Sequence, residues 1–194
     1  MAQTLTITAE HLTKSFGSRR AVDDLSLSVA TGEILGLVGP NGSGKTTTIR
    51  MLAGLLPPDS GSVRLLGFER GDRSSYARGL GFVPDRSSLY GWMTAAEYLD
   101  FFGAAYAIPR DVRRRRMGEV MEVTGSAYMK DRYVESLSHG MKQRVGLART
   151  LLHDPEVLIL YEPAGGLDPQ ARTGMRHMPL RLAPPGNTLH VPSH

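Results

Sequence analysis

Ile34-Leu35-Gly36-Leu37-Val38-Gly39-Pro40-Asn41-Gly42-Ser43-Gly44-Lys45-Thr46-Thr47 is the stretch that decides the fold. Its first five residues are continuously apolar, as in a strand covered on both faces by helices. The next eight match G-x-x-x-x-G-K-[ST], in which glycines let successive backbone N–H groups turn inward around the β- and γ-phosphates of a nucleotide. Lys45 brings a point charge to those phosphates, Thr46 offers a hydroxyl to Mg²⁺, and the following helix aims its positive end at the same place. Ile49, Leu52, Ala53 and Leu56 recur at helical spacing until Pro57-Pro58-Asp59-Ser60-Gly61 closes the element in a turn. The alternative, a plain glycine turn with an exposed lysine, does not account for a strand before the loop and a helix after it.

Working outward, Leu5, Ile7, Leu25, Leu27 and Val29 alternate with Thr and Ser, the period of half-buried strands. From Thr94 the character changes. Thr94 with Glu97 forms a capping box ahead of Leu99, Phe101 and Phe102, and a helical region with little strand signal runs to about Tyr133. Ser138 then starts a second capped helix through Met141, Val145, Ala148, Leu151 and Leu152, closed by Asp154-Pro155, and Val157-Leu158-Ile159-Leu160 reads as another buried strand. The expected architecture is α/β: a P-loop nucleotide-binding core with an antiparallel β subdomain at the N-terminus (residues 1–90 and 154–194) and an inserted α-helical subdomain (residues 91–153).

Composition is compatible with one such unit. The chain has 194 residues, 41% hydrophobic and 22% charged, close to ordinary globular usage. Its apolar runs are far shorter than the roughly 20 residues that span a bilayer. Its first residues lack the features of a secretory signal, and there is no cysteine, so a cytosolic location is expected. A net charge of +4 suits a phosphate ligand, an anionic membrane face or nucleic acid without choosing among them. The arginines at 113–116 sit inside a helical pattern and read as a solvated face.

P-loops serve many enzymes, and other residues point to a particular family. Leu137-Ser138-His139-Gly140-Met141-Lys142-Gln143-Arg144 resembles the ABC signature, usually Leu-Ser-Gly-Gly-Gln, in a form common among bacterial exporter ATPases. A serine hydroxyl and a glycine N–H at a helix start make an anion site, though a plain N-cap also explains the serine. Glu162-Pro163 and Gly166-Leu167-Asp168-Pro169 look like the end of the Walker B motif and the D-loop of the same family. Phe16 matches the family's adenine-stacking aromatic; taken alone, core packing would be the better reading of it.

The resemblance implies an ATP-hydrolysing subunit that powers a membrane transporter, with export favoured. It implies a head-to-tail dimer with a second ATP-binding subunit, each nucleotide lying between one P-loop and the partner's Ser138–Gly140 loop. A membrane-spanning transporter subunit would be the other partner, and the protein would sit in the cytoplasm, peripheral on the inner face of the membrane. A nucleic-acid partner is not expected from one cassette without a paired second cassette or a coiled-coil insert. Glu162 would polarise the attacking water and His194 would contact the γ-phosphate.

The chain departs from the family pattern in register. Tyr161 stands where an aspartate helps hold Mg²⁺, which predicts slower hydrolysis; Asp85, at the Q-loop position, joins Thr46 as a candidate metal residue and offers partial compensation. Gly174 and Pro179 fall within a family helix, where they cost about 1 and 3 kcal/mol. His194 is the last residue, so the family's later elements are expected to be missing. These departures keep a second reading open: a degenerate nucleotide-binding module with little or no hydrolysis.

Overall fold

The computed structural model describes residues 5–31, 33–37, 39–84 and 89–161, and the backbone of 187–191. They form two units: one holds the chain up to Phe82 with Glu156–Tyr161 and the last strand, and the other holds Val83–Pro155.

In the first unit, β1 (Leu5–Phe16) and β2 (Arg19–Ala30) form a long hairpin, and β4 (Ser60–Leu65) and β5 (Phe68–Glu69) extend it into an antiparallel sheet ordered β2-β1-β4-β5. The alternation read from the sequence is present only in part in β1: Ile7 and Ala9 are buried and Leu5 is exposed, and a register shift between Ala9 and Leu12 brings Leu12 back to the buried side. A second sheet has the order β3-β8-β7-β6, from β3 (Ile34–Gly36), β6 (Leu80–Val83), β7 (Val157–Tyr161) and β8 (Asn187–Val191). Strand β8 pairs in parallel with β3 on one side and β7 on the other, Leu189 standing opposite both Leu35 and Ile159. Val157 to Leu160 are buried throughout, which is why that strand reads as an unbroken apolar run.

Helix α1 (Lys45–Leu52) follows the glycine loop and packs its Ile49, Met51 and Leu52 into a core shared with Ile7, Leu12, Leu65 and Ile159. It stops earlier than the apolar spacing through Leu56 implies. Gly54, at φ 71°, reverses the chain, and the N–H groups of Gly54 and Leu55 return to the carbonyls of Met51 and Arg50 at 3.0 and 2.9 Å, a Schellman ending. A short helix, α2 (Arg73–Gly79), is capped by Asp72 and seats Tyr76 against that ending, its hydroxyl donating to the Leu52 carbonyl at 2.6 Å.

The second unit is helical: α3 (Ala95–Ala105), α4 (Arg110–Val123) and α5 (His139–Leu151), with two short 3₁₀ turns between the last two. Thr94 and Glu97 make both hydrogen bonds of the capping box, at 2.8 and 3.2 Å. Tyr98, Leu99, Met129, Val145, Ala148 and Leu152 form its core. The arginine run is not a uniform solvated face. Three residues make most of a helical turn, so Arg113 and Arg116 share a partly buried side, pairing with Asp100 at 2.6 Å and Asp154 at 2.9 Å, while Arg114 and Arg115 face solvent.

Candidate nucleotide-binding site

The glycine loop leaves β3 and turns into α1 through Gly42 at φ 83° and Gly44 at φ 90°, left-handed conformations that side chains rarely adopt. At Gly44 the space is closed as well: a Cβ there would lie 2.3 Å from the Ala21 carbonyl oxygen on β2. Ser43 N–H closes the turn on the Pro40 carbonyl at 3.2 Å. With Gly44 as cap and no side chain accepting from the first turn, the N–H groups that open α1 have no side-chain cap and are suited to an anionic ligand.

Pro40, Asn41, Gly42 and Ser43 are exposed, while Gly39, Gly44, Lys45, Thr46 and Thr47 are half-buried. The Lys45 ammonium folds back over its own loop, donating to the carbonyls of Gly39 and of Pro40, the latter at 2.9 Å. Two of its three donors are thus spent on the loop, which leaves one for a phosphate oxygen. Arg19, at the start of β2, donates to the Gly42 carbonyl at 3.2 Å and brings a second cation to the loop. No motif marks Arg19, which meets the loop across 23 positions of sequence.

Phe16 ends β1 and is 54% exposed, so the core-packing alternative does not hold. Lys14 stands 6.0 Å from its ring centroid and is tied to Asp59 at 2.6 Å, while Asp59 also accepts from Ser15 N–H at 2.7 Å. The Lys14 hydrogen bond is the main reason the Asp59 carboxyl titrates below its usual range. An exposed ring on a braced strand end is available to stack on a base.

In the helical unit Ser138 is exposed at the N-cap of α5, its hydroxyl accepting from Met141 N–H at 3.4 Å, and Gly140 is half-buried in the first turn. Both readings of this serine therefore remain compatible with its geometry. Asp85, Glu162 and His194 lie outside the described residues.

Tyr161 does more than vacate a carboxylate position. Its hydroxyl lies 2.6 Å from Thr46 Oγ1, so the hydroxyl assigned to Mg²⁺ is already hydrogen-bonded to a phenol. Among the described residues there is no cluster of acidic or histidine side chains able to hold a metal ion. A threonine hydroxyl tied to a phenol, with no carboxylate beside it among the described residues, does not make the oxygen-rich anionic donor set that a hard divalent cation seeks. The described residues do not fit Mg²⁺.

A family model described as ABC transporter matches residues 22–165. The chain is 38% identical over 187 residues to the linearmycin resistance ATP-binding protein LnrL of Bacillus subtilis, covering 96% of this chain and 60% of that protein. It is 39% identical over 189 residues to the Nod factor export ATP-binding protein I of Ralstonia nicotianae, covering 97% of this chain and 59% of that one. The chain thus spans about three fifths of the length of these curated relatives. Among solved structures it resembles cbiO1 from Clostridium perfringens, part of the ABC transporter complex cbiONQ, with a TM-score of 0.88 and 26% identity over 99% of this chain and 79% of that one. The α/β fold with an antiparallel N-terminal sheet and an inserted helical unit agrees with that of its structural neighbours.

Proposed function

Because the chain belongs to the ABC transporter family, we propose that it is the ATP-binding subunit of a membrane transporter and that nucleotide binding at the 39–47 loop drives the transport cycle. The observation that carries this reading is the loop itself: glycines in left-handed conformations, the Lys45 ammonium and the uncapped N-terminus of α1 all fall within residues 39–47. In this scheme Phe16 stacks on the base, Ser138 and Gly140 of a second subunit close over the phosphates, Glu162 orients the attacking water and His194 contacts the γ-phosphate. Binding and closing favour one state of the pair and hydrolysis the other, which is the free-energy difference a membrane partner can use.

Exposed Tyr90, Trp92 and Phe101 in the helical unit, with Tyr90 6.1 Å from Trp92 and 5.8 Å from Phe101 between ring centroids, offer an apolar patch for that partner. Among the described residues no helix is long and apolar enough to cross a membrane, so a spanning subunit would supply the pathway and this chain would dock on its cytoplasmic side. Export is supported by the Met141-Lys142-Gln143 form of the signature and by the export named for the Ralstonia nicotianae relative.

Equilibrium dialysis with labelled ATP tests the reading. The chain should bind ATP, and Lys45→Ala should lose most of that affinity with an unchanged circular dichroism spectrum; equal binding by both proteins would sink the assignment. The Tyr161–Thr46 contact favours a second reading, a subunit that binds and closes with little turnover. Phosphate release by the chain beside Tyr161→Asp separates the two: turnover only in the variant supports the second.

A further inference from the structure

Tyr161 ends β7, the strand against which α1 packs, and its hydroxyl meets Thr46 one residue into that helix. At 2.6 Å this is a short O–H···O bond, and it has two possible polarities. If the phenol donates, it occupies one of the two lone pairs on Thr46 Oγ1 and brings no negative charge to a cation at the other. If it accepts, Thr46 keeps its lone pairs, but the group behind it supplies none of the negative charge with which a carboxylate holds a cation and its waters. Neither arrangement rewards a divalent ion at Thr46, whereas Lys45, Arg19 and the α1 N–H groups all favour an anion there whether or not a cation accompanies it.

We propose that Tyr161 makes nucleotide binding by this chain independent of a divalent cation, so that the loop takes the free nucleoside triphosphate as readily as its Mg²⁺ complex. This rests on the nucleotide-binding reading above and specifies the form of ligand that the site accepts.

The test is equilibrium binding of labelled ATP to the full chain, once in excess Mg²⁺ and once in EDTA. The two dissociation constants of the wild type should agree within about threefold, while Tyr161→Asp should bind at least about tenfold more tightly with Mg²⁺ than without. Tyr161→Phe keeps the ring packed on α1 and restores no carboxylate, so it should remain cation-independent and serves as the comparison if the aspartate variant does not fold. A wild type that binds about tenfold better with Mg²⁺ overturns the proposal and leaves the ATP-binding reading standing. Absence of binding in both buffers overturns both. A folded Tyr161→Asp that stays indifferent to Mg²⁺ removes Tyr161 as the cause.

Discussion

The Arg116 guanidinium lies 2.9 Å from the Asp154 carboxylate and also donates to the carbonyls of Leu152 at 3.0 Å and Leu151 at 3.4 Å, so one side chain of α4 caps the end of α5. A cation is favourable there because the last carbonyls of a helix lack partners and carry its negative end. Arg116→Ala should cost about 1–2 kcal/mol, mostly from the carbonyl bonds. Asp154→Asn should cost no more than a few tenths, because that carboxylate is 78% exposed and its ion pair is screened. Thermal denaturation should show a drop of about 2–4 °C per kcal/mol for the first and almost none for the second. The Arg116 hydrogen bond, opposed by partial burial, holds the Asp154 carboxyl below its usual range. Its contribution is therefore present above the unfolded carboxylate value, near 3.9, and is lost as pH falls through the lower folded value.

Tyr76 gives the opposite pH signature. Burial pushes its phenol up to about 12, although Arg70 pulls the other way. The unfolded chain releases this proton near pH 10 and the folded one near 12, so stability should fall as pH rises between those values. Tyr76→Phe should remove that alkaline loss while costing about 1 kcal/mol at neutral pH for the lost bond to the Leu52 carbonyl. Urea denaturation at pH 8 and pH 11 checks both: a variant with the same alkaline slope as the wild type would show that another group titrates.

The parts of this fold that were legible in the sequence are those whose signal is local. The apolar run of β7, the Thr94–Glu97 box and the cap at Ser138 each occupy a few consecutive residues, and the structure has them where the pattern lies. The elements between Ser60 and Val83 left no comparable mark, being strands of six, two and four residues around one short helix. Within the site, the glycines and Lys45 announce themselves because spacing fixes their roles. Arg19 does not, since it stands at the start of β2 and meets Gly42 only across 23 positions of sequence. Tyr161 was visible as an odd residue, but its bond to Thr46 spans 115 positions and is set only by packing β7 against α1.

Arg19 can be tested for that role. Its side chain is exposed and donates to one loop carbonyl at 3.2 Å, so removing it should leave thermal stability within about 0.5 kcal/mol. Nucleotide affinity should suffer more, because the substitution withdraws a cation from the phosphate position and loosens Gly42. We expect Arg19→Ala to weaken ATP binding by about 5- to 30-fold, the equivalent of 1–2 kcal/mol, and Arg19→Lys to recover part of it. Unchanged affinity in Arg19→Ala would confine this residue to the hairpin surface.

Two glycines provide a matched pair of substitutions with opposite expected signs. Gly44→Ala places a Cβ 2.3 Å from the Ala21 carbonyl oxygen, a backbone atom of β2 that cannot swing aside, at a φ of 90° already unfavourable for alanine. The loop must shift, so ATP binding should fall by more than about tenfold and stability by about 2 kcal/mol or more. Gly118 lies on the exposed side of α4 with nothing within 4 Å of a Cβ. There alanine removes only backbone freedom, and Gly118→Ala should raise stability by about 0.5–1 kcal/mol without touching ATP affinity. Thermal melts and ATP titrations on the two variants decide the matter together. If Gly44→Ala binds ATP like the wild type, the loop conformation seen here is not the one that holds the nucleotide.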